Sequence, residues 1–334
     1  MKTGFMVSVA AALGLASMLV TAAAQEYPSR TVTIIVPYPA VGPTDETARM
    51  VAQSLSTQLK RSFIVEDIGG GGAIIGSEKV ARAAPDGYTL LVHNLQIAAN
   101  VSLYENLPFD TVKTFPPVML INRNPLVLVG RESLEPSTLR DLVALMKQQT
   151  LKAAIPGYGT TGHLATSLFA QEAGASLDQI AAPAITDLLG GQVDLFFATP
   201  QSVVQQVATG ALKAYGVTAK EKLPEFPTAD SFPLMFGPKL DVVYWQAMFA
   251  PAGTPGSIMR TLNKALQNAV ADPALVKIWT AEDVSVFASD QRSPEAASEL
   301  LNSEIARWGR SSATTKSTFN NETAPPIRRA ALTK

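Results

Sequence analysis

The 334-residue chain contains no cysteine. That excludes disulfides, thiolate metal sites and thiol catalysis, and also a lipid anchor on a cleavage-site cysteine. Histidine is scarce, with only His93 and His163 present. Two imidazoles without cysteine, and no His-Glu-x-x-His run, make no zinc set, so no metal and no cofactor are expected. Charged residues are only 16% of the chain and nearly balance, at a net −1. They are interspersed, without a basic stripe, so nucleic acid is not an expected partner. No Gly-x-Ser-x-Gly elbow marks a nucleophile, and no catalytic residue is assigned. Beyond residue 24 no apolar run is long enough to span a bilayer, so direct membrane insertion is not expected.

What is present begins with an export signature. Met1-Lys2 gives a basic start, Phe5 to Val20 an apolar run, and Ala22-Ala23-Ala24 the small residues a signal peptidase reads. Residues 1–24 therefore read as a signal peptide cleaved after Ala24, with the periplasm as the destination. The remaining chain can bury a large core and is long enough for two domains.

Beyond the leader, strand-like and helix-like segments alternate. Thr31-Val32-Thr33-Ile34-Ile35-Val36 is β-branched and apolar, a strand buried on both faces. A helix follows with Ala48, Val51, Ala52, Leu55 and Leu59 on one face. Strands at 63–65 and 88–92 flank a helix at 75–84. The order β-α-β-α-β implies parallel, doubly wound sheets. The alternation resumes with strands at 118–122 and 126–129, joined by Arg123-Asn124-Pro125, and runs on through 217. A Pro-rich aperiodic stretch at 224–238 reads as a loop, and residues after 311 as an irregular tail.

Three loops follow strands at their carboxyl ends, where open α/β sheets hold ligands. The first is Pro37-Tyr38-Pro39-Ala40-Val41-Gly42-Pro43-Thr44-Asp45. Gly42 fits an N-cap and Pro43 the first helical position, with Asp45 placed to cap back. The amides of Thr44 and Asp45 then face the loop mouth with the positive end of a helix dipole, which suits an anion. An ordinary helix start is the alternative. The second loop is Pro156-Gly157-Tyr158-Gly159-Thr160-Thr161-Gly162-His163, rich in glycine and hydroxyls, with no Lys-Ser/Thr pair to make it a P-loop. The third, Gly69-Gly70-Gly71-Gly72, reads equally well as a tightly packed connection. His163 near a helix start fits a capping or hydrogen-bonding role better than a catalytic base. Asn94 follows a strand and is placed to line the mouth, while Tyr244 and Trp245 read mainly as core.

Taken in order, these strings resemble the Bug receptors, the extracytoplasmic solute receptors of tripartite tricarboxylate transporters. The resemblance runs from about Tyr27 to Trp308. It is carried by Tyr27-Pro28-Ser29-Arg30, the first loop, Ala84-Pro85-Asp86-Gly87-Tyr88, Leu107-Pro108-Phe109-Asp110 and Gly162-His163-Leu164. Asp187-Leu188-Leu189-Gly190-Gly191-Gln192, Pro251-Ala252-Gly253-Thr254-Pro255 and Glu304-Ile305-Ala306-Arg307-Trp308 complete it. The resemblance implies a type II-like periplasmic binding protein of two α/β lobes with a ligand cleft between them. Lobe 1 would take residues 25–122 and 231–310, and lobe 2 residues 123–230. By position it points to Tyr38, Ala40, Gly42 and Asp45 in one lobe and to Thr160, Thr161, Gly162 and His163 in the other. The candidate ligand-binding set adds Val41, Thr44, Asn94 and Thr199 from the same loops and strand ends. The implied ligand is a small carboxylate, aliphatic or aromatic, and the implied partners are membrane permease subunits, with the receptor itself a monomer.

The chain departs from the family pattern in several places. Val41 stands where the family usually has glycine. Residues 175–183 are short, so a strand of the second lobe is expected to be shortened or missing. Ala198-Thr199 replaces the usual Asp or Asn. A sensor for a membrane kinase and a partly degenerate copy therefore remain alternatives, and a hydrolase or isomerase using His163 and Asp45 is the weakest.

Overall fold

The computed structural model describes residues 27–315; the signal-peptide reading lies outside them. β1 (Val32–Val36) leads into α1 (Pro43–Leu59), β2 (Phe63–Asp67), α2 (Ile74–Ala81), β3 (Thr89–Asn94) and α3 (Gln96–Leu103). A short α4 (Thr111–Thr114) precedes β4 (Pro117–Pro125). Then come β5 (Val127–Arg131), α5 (Leu139–Met146), β6 (Leu151–Ile155), α6 (Thr161–Ala173), β7 (Leu177–Ala181), α7 (Ala184–Leu189), β8 (Leu195–Ala198), α8 (Pro200–Ala208) and β9 (Leu212–Val217). The chain closes with β10 (Asp230–Ser231), α9 (Phe232–Phe236), β11 (Val243–Phe249), α10 (Gly256–Val270), α11 (Pro273–Ala281), β12 (Ser285–Val286) and α12 (Pro294–Thr315). Among the described residues no helix is long and apolar enough to cross a membrane.

These elements form two six-stranded sheets, one per lobe, ordered β12-β4-β11-β3-β1-β2 and β10-β9-β5-β8-β6-β7. Each contains a parallel trio, β2-β1-β3 and β7-β6-β8. The trios explain the continuous apolar runs: Ile34, Ile35 and Val36 are fully buried, as are Leu90 and Leu91 beside them. The sheets are mixed rather than parallel throughout. β11 runs antiparallel to β3 and β4, and β5 antiparallel to β8 and β9. These are the strands by which the chain enters and leaves a lobe, so they need no crossover helix and can pair antiparallel.

Several expectations change. The strands expected at 118–122 and 126–129 are longer and nearly continuous, with only Leu126 between β4 and β5. The strand feared lost at 175–183 is present: β7 pairs with β6 over its whole length, from Leu151↔Leu177 to Ile155↔Ala181. The stretch expected to be a loop at 224–238 adds β10 to the second sheet and forms α9. Phe232 is fully buried against Phe169 and Phe197 of the second lobe. The return crossing therefore falls near residues 240–243 rather than at 223–230. Helix also continues to Thr315, past the expected start of the tail.

Thr218 binds the two crossings together. Its amide donates to Leu126 O at 2.9 Å, and its hydroxyl accepts from Leu126 N at 2.8 Å and donates to Val242 O at 2.6 Å. The residue is fully buried. One side chain thus joins the outgoing and returning strands at the point about which the lobes would pivot.

Candidate functional site

Within each trio the two strands that follow the central one, β1 or β6, in the chain lie on either side of it in the sheet. That is a topological switch point, where the loops diverge and open a crevice. The two loops read as anion sites leave these equivalent strands and face each other across the lobes.

In the first loop Gly42 is the N-cap of α1, extended at φ −106°, with Pro43 at the helix start. Glycine brings no side-chain cap, so the amides of Thr44 and Asp45 stay available. Val41 adopts φ 65° and is 85% exposed. Its amide donates to Asp45 Oδ2 at 2.8 Å, so Asp45 caps back as expected. Arg49 Nε lies 2.6 Å from Asp45 Oδ1 as an ion pair, and its Nη2 lies 2.6 Å from Asp67 Oδ2. Burial, then the Asp45 carboxylate, raises the pKa of Asp67.

Beneath this loop lies a buried polar network drawn from three segments. The Tyr38 hydroxyl donates to Asn94 Oδ1 at 2.8 Å and lies 3.1 Å from His93 Nδ1. Asn94 Nδ2 donates to Thr44 Oγ1 and to the Tyr244 hydroxyl, both at 3.2 Å, and those two hydroxyls are 2.7 Å apart. Asn94 Oδ1 also accepts from the Gln96 amide at 2.9 Å, so one side chain links the loop to the start of α3. Burial holds every member neutral: Tyr38 is raised, Tyr244 is pushed up to about 12, and His93 is pushed down to about 3.

In the second loop Thr160 is the N-cap of α6, its hydroxyl accepting weakly from His163 N at 3.4 Å. Thr161 is 2% exposed, and its hydroxyl has no hydrogen-bond partner. His163 Nδ1 accepts from the Gly159 amide at 3.0 Å, and burial pushes its pKa down to about 4. Its visible work is to shape the loop as a neutral acceptor. Gly159 sits at φ 81°, where a Cβ would lie 3.0 Å from both Gln96 Nε2 and Leu103 Cδ1 of the opposite lobe. Gln96 Nε2 donates to Tyr158 O and to Gly72 O, each at 3.3 Å. The lobes therefore touch at this loop.

The cleft between the lobes holds about 550 Å³. Tyr38, Ala40, Val41, Gly42, Thr44 and Asn94 line it from the first lobe, and Thr160, Thr161, Gly162 and Thr199 from the second. Asp45 and His163 are not among its walls: one carboxylate oxygen faces the Val41 amide and the other Arg49, while His163 supports its loop from behind. The third glycine loop also stays out. Gly72 O accepts from Asn100 Nδ2 at 2.8 Å, so that loop packs on α3. Sequence reasoning missed Ile185, Phe196 and Ser202 and left Tyr244 largely to the core. The available signal for Tyr244 was a hydroxyl on an otherwise buried strand, which needs a partner. Among the described residues no Lys, Arg, His, Asp or Glu lines the cleft. What it can offer an anion is main-chain amides, hydroxyls and two helix starts.

A family model described as "Tripartite tricarboxylate transporter family receptor" matches residues 47–313. Among curated proteins, "UPF0065 protein in the TAR-I ttuE-ttuC' intergenic region" of Agrobacterium vitis is 35% identical over 297 residues, covering 86% of this chain and 85% of that one. Among solved structures, the periplasmic binding protein BugD superposes with a TM-score of 0.80 at 30% identity, over 87% of this chain and 99% of that one. MatC from Rhodopseudomonas palustris with bound malate gives 0.78 at 29% identity, over 85% and 99%. The order of the strands, the paired switch-point loops and these matches agree, and the chain belongs to the family of tripartite tricarboxylate transporter receptors.

Proposed function

We propose that this receptor captures a small carboxylate in the periplasm and delivers it to membrane permease subunits. One observation carries the reading. Two helix starts, one from each lobe, converge on a single cleft that contains no charged side chain. Such a site favours an anion through preorganised amides and gains most when the lobes enclose it. It binds rather than transforms: no carboxylate, imidazole or amine lines the cleft to move a proton. The malate bound by MatC is in keeping with this ligand class.

A thermal-shift screen of residues 25–334 against carboxylic acids and their amides tests the reading. A ligand at 100 times its dissociation constant adds about 2.7 kcal/mol of stability, a clear upward shift. Amides that shift the melt as much as their acids, or a cooperative melt that no acid moves, would count against carboxylate capture.

A further inference from the structure

The cleft lining is of two chemical kinds. One is polar: the amides at the start of α1, the start of α6 and the Thr161 hydroxyl, which is nine-tenths buried without a partner. These groups can donate to one carboxylate. The other kind is apolar and includes Leu126, Ala182, Pro183, Ile185 and Phe196. Among the remaining hydroxyls, Ser202 Oγ donates to Thr199 O at 2.7 Å and Thr199 Oγ1 lies 3.3 Å from Ser202 Oγ, which leaves Thr186. With no cation among the described lining residues, a second carboxylate set against the apolar wall would lose its hydration without a compensating charge.

We infer that the cleft selects a monocarboxylate with an apolar body, aromatic or medium-chain aliphatic, over di- and tricarboxylates. This rests on the receptor reading above and deepens it. The volume suits a body of that size, within the ordinary range for small-molecule pockets of roughly 300–1,000 Å³. Specificity then comes from the cost of stranding a second anion against Ile185 and Pro183, as much as from attraction of the first.

Calorimetric titrations with matched pairs test it: hexanoate against adipate, and benzoate against terephthalate, with hexanamide and benzamide as uncharged controls. Each pair differs only by the second carboxylate. The expected result is at least tenfold tighter binding of the monoacid in one pair, with the amides silent. A second arm uses Ile185→Lys, which places a cation in the apolar part of the lining and should raise adipate affinity at least tenfold while weakening hexanoate. A diacid that binds as tightly as its monoacid overturns the inference and leaves carboxylate capture standing. A folded Ile185→Lys protein that gains nothing for adipate overturns it too. If every acid is as silent as its amide, capture itself falls, and the inference with it.

Discussion

Val41 is a β-branched residue in the left-handed region, at the mouth of the cleft and almost fully exposed. No packing holds it there, so its conformation is held by its amide, which donates 2.8 Å to the buried Asp45 carboxylate. The left-handed conformation costs an L-residue about 1–2 kcal/mol, and a hydrogen bond to a charged group offsets it by about 1.5–3 kcal/mol. Remove the carboxylate by Asp45→Ala and Val41 should leave this conformation most of the time. The binding-competent loop would then be populated at about 3–15%, and the apparent dissociation constant should rise about 5- to 30-fold. Glycine visits the left-handed region about as readily as the right-handed one. In a Val41→Gly background the same Asp45→Ala change should therefore cost only about twofold. Asp45→Ala also leaves Arg49 paired with Asp67 alone, but that loss is common to both backgrounds and cancels in the cycle. Calorimetry on the four proteins with the tightest-binding acid measures the coupling. Equal losses in the two backgrounds, or no loss in the first, would refute the claim that Asp45 holds the loop.

Other outcomes follow from the same geometry. Thr218→Val keeps the shape but leaves Leu126 N and Val242 O short of a partner, and should lower stability by about 2–4 kcal/mol in a denaturant titration. Gly159→Ala forces an L-residue into φ 81° and presses a Cβ against Gln96 and Leu103 across the lobes. It should weaken ligand binding by about tenfold, and an unchanged affinity would mean that the observed loop contact is not part of the bound state. Two pH effects oppose each other. Burial holds His163 near 4 against an ordinary 6.5, so the unfolded chain takes up protons first and stability falls as pH drops from 6.5 towards 4; His163→Gln should flatten that limb of a melting-temperature profile. Asp283 is raised from 3.8 to about 7, by burial and then by Glu225, so it favours the fold below about 4 and loses that contribution as pH rises to about 7. Asp283 also stands at φ 54°, which asparagine tolerates, so Asp283→Asn should raise the melting temperature at pH 8 without straining the backbone.

The parallel trios were legible in the sequence because strands buried on both faces read as unbroken β-branched runs, as at Ile34-Ile35-Val36. The two cleft loops were legible because Gly42-Pro43 and Thr160-Thr161 carry helix-start chemistry after a strand. What stayed hidden was set by tertiary contact. α3 begins at Leu95 without a side-chain cap, and its first five residues are all buried, so it has no amphipathic face to announce it. β7 has only half-exposed and exposed residues at a sheet edge, without a regular alternation, and pairing with β6 makes it a strand. α11 did carry a signal, Asp272 capping the Ala274 amide ahead of Pro273, and it was overlooked. Asp45 and His163 stand outside the cleft walls for one reason: spacing places a side chain near a loop, but its partners decide which side of the loop it faces.

Those partners also determine how closure is controlled. α1 and α6 bring the positive ends of two helix dipoles, each about half a charge, to one cleft. With nothing between them the two ends repel, and the polar contacts across the cleft that oppose this include Gln96 to Tyr158 O and Asn124 to Gln201, each at 3.3 Å. Both are long, neutral hydrogen bonds and are worth about 1 kcal/mol each at most. On the proposed reading, a carboxylate between the helix starts would turn the repulsion into two attractions, and the anion would then supply the free-energy difference between open and closed states. The ligand-free protein should therefore be more expanded in small-angle scattering than the loaded one, and raising the salt concentration should narrow the gap as the dipole repulsion is screened. A ligand-free protein as compact as the loaded one at low salt would show that neutral contacts alone close the lobes, and the two helix starts would then serve binding without driving motion.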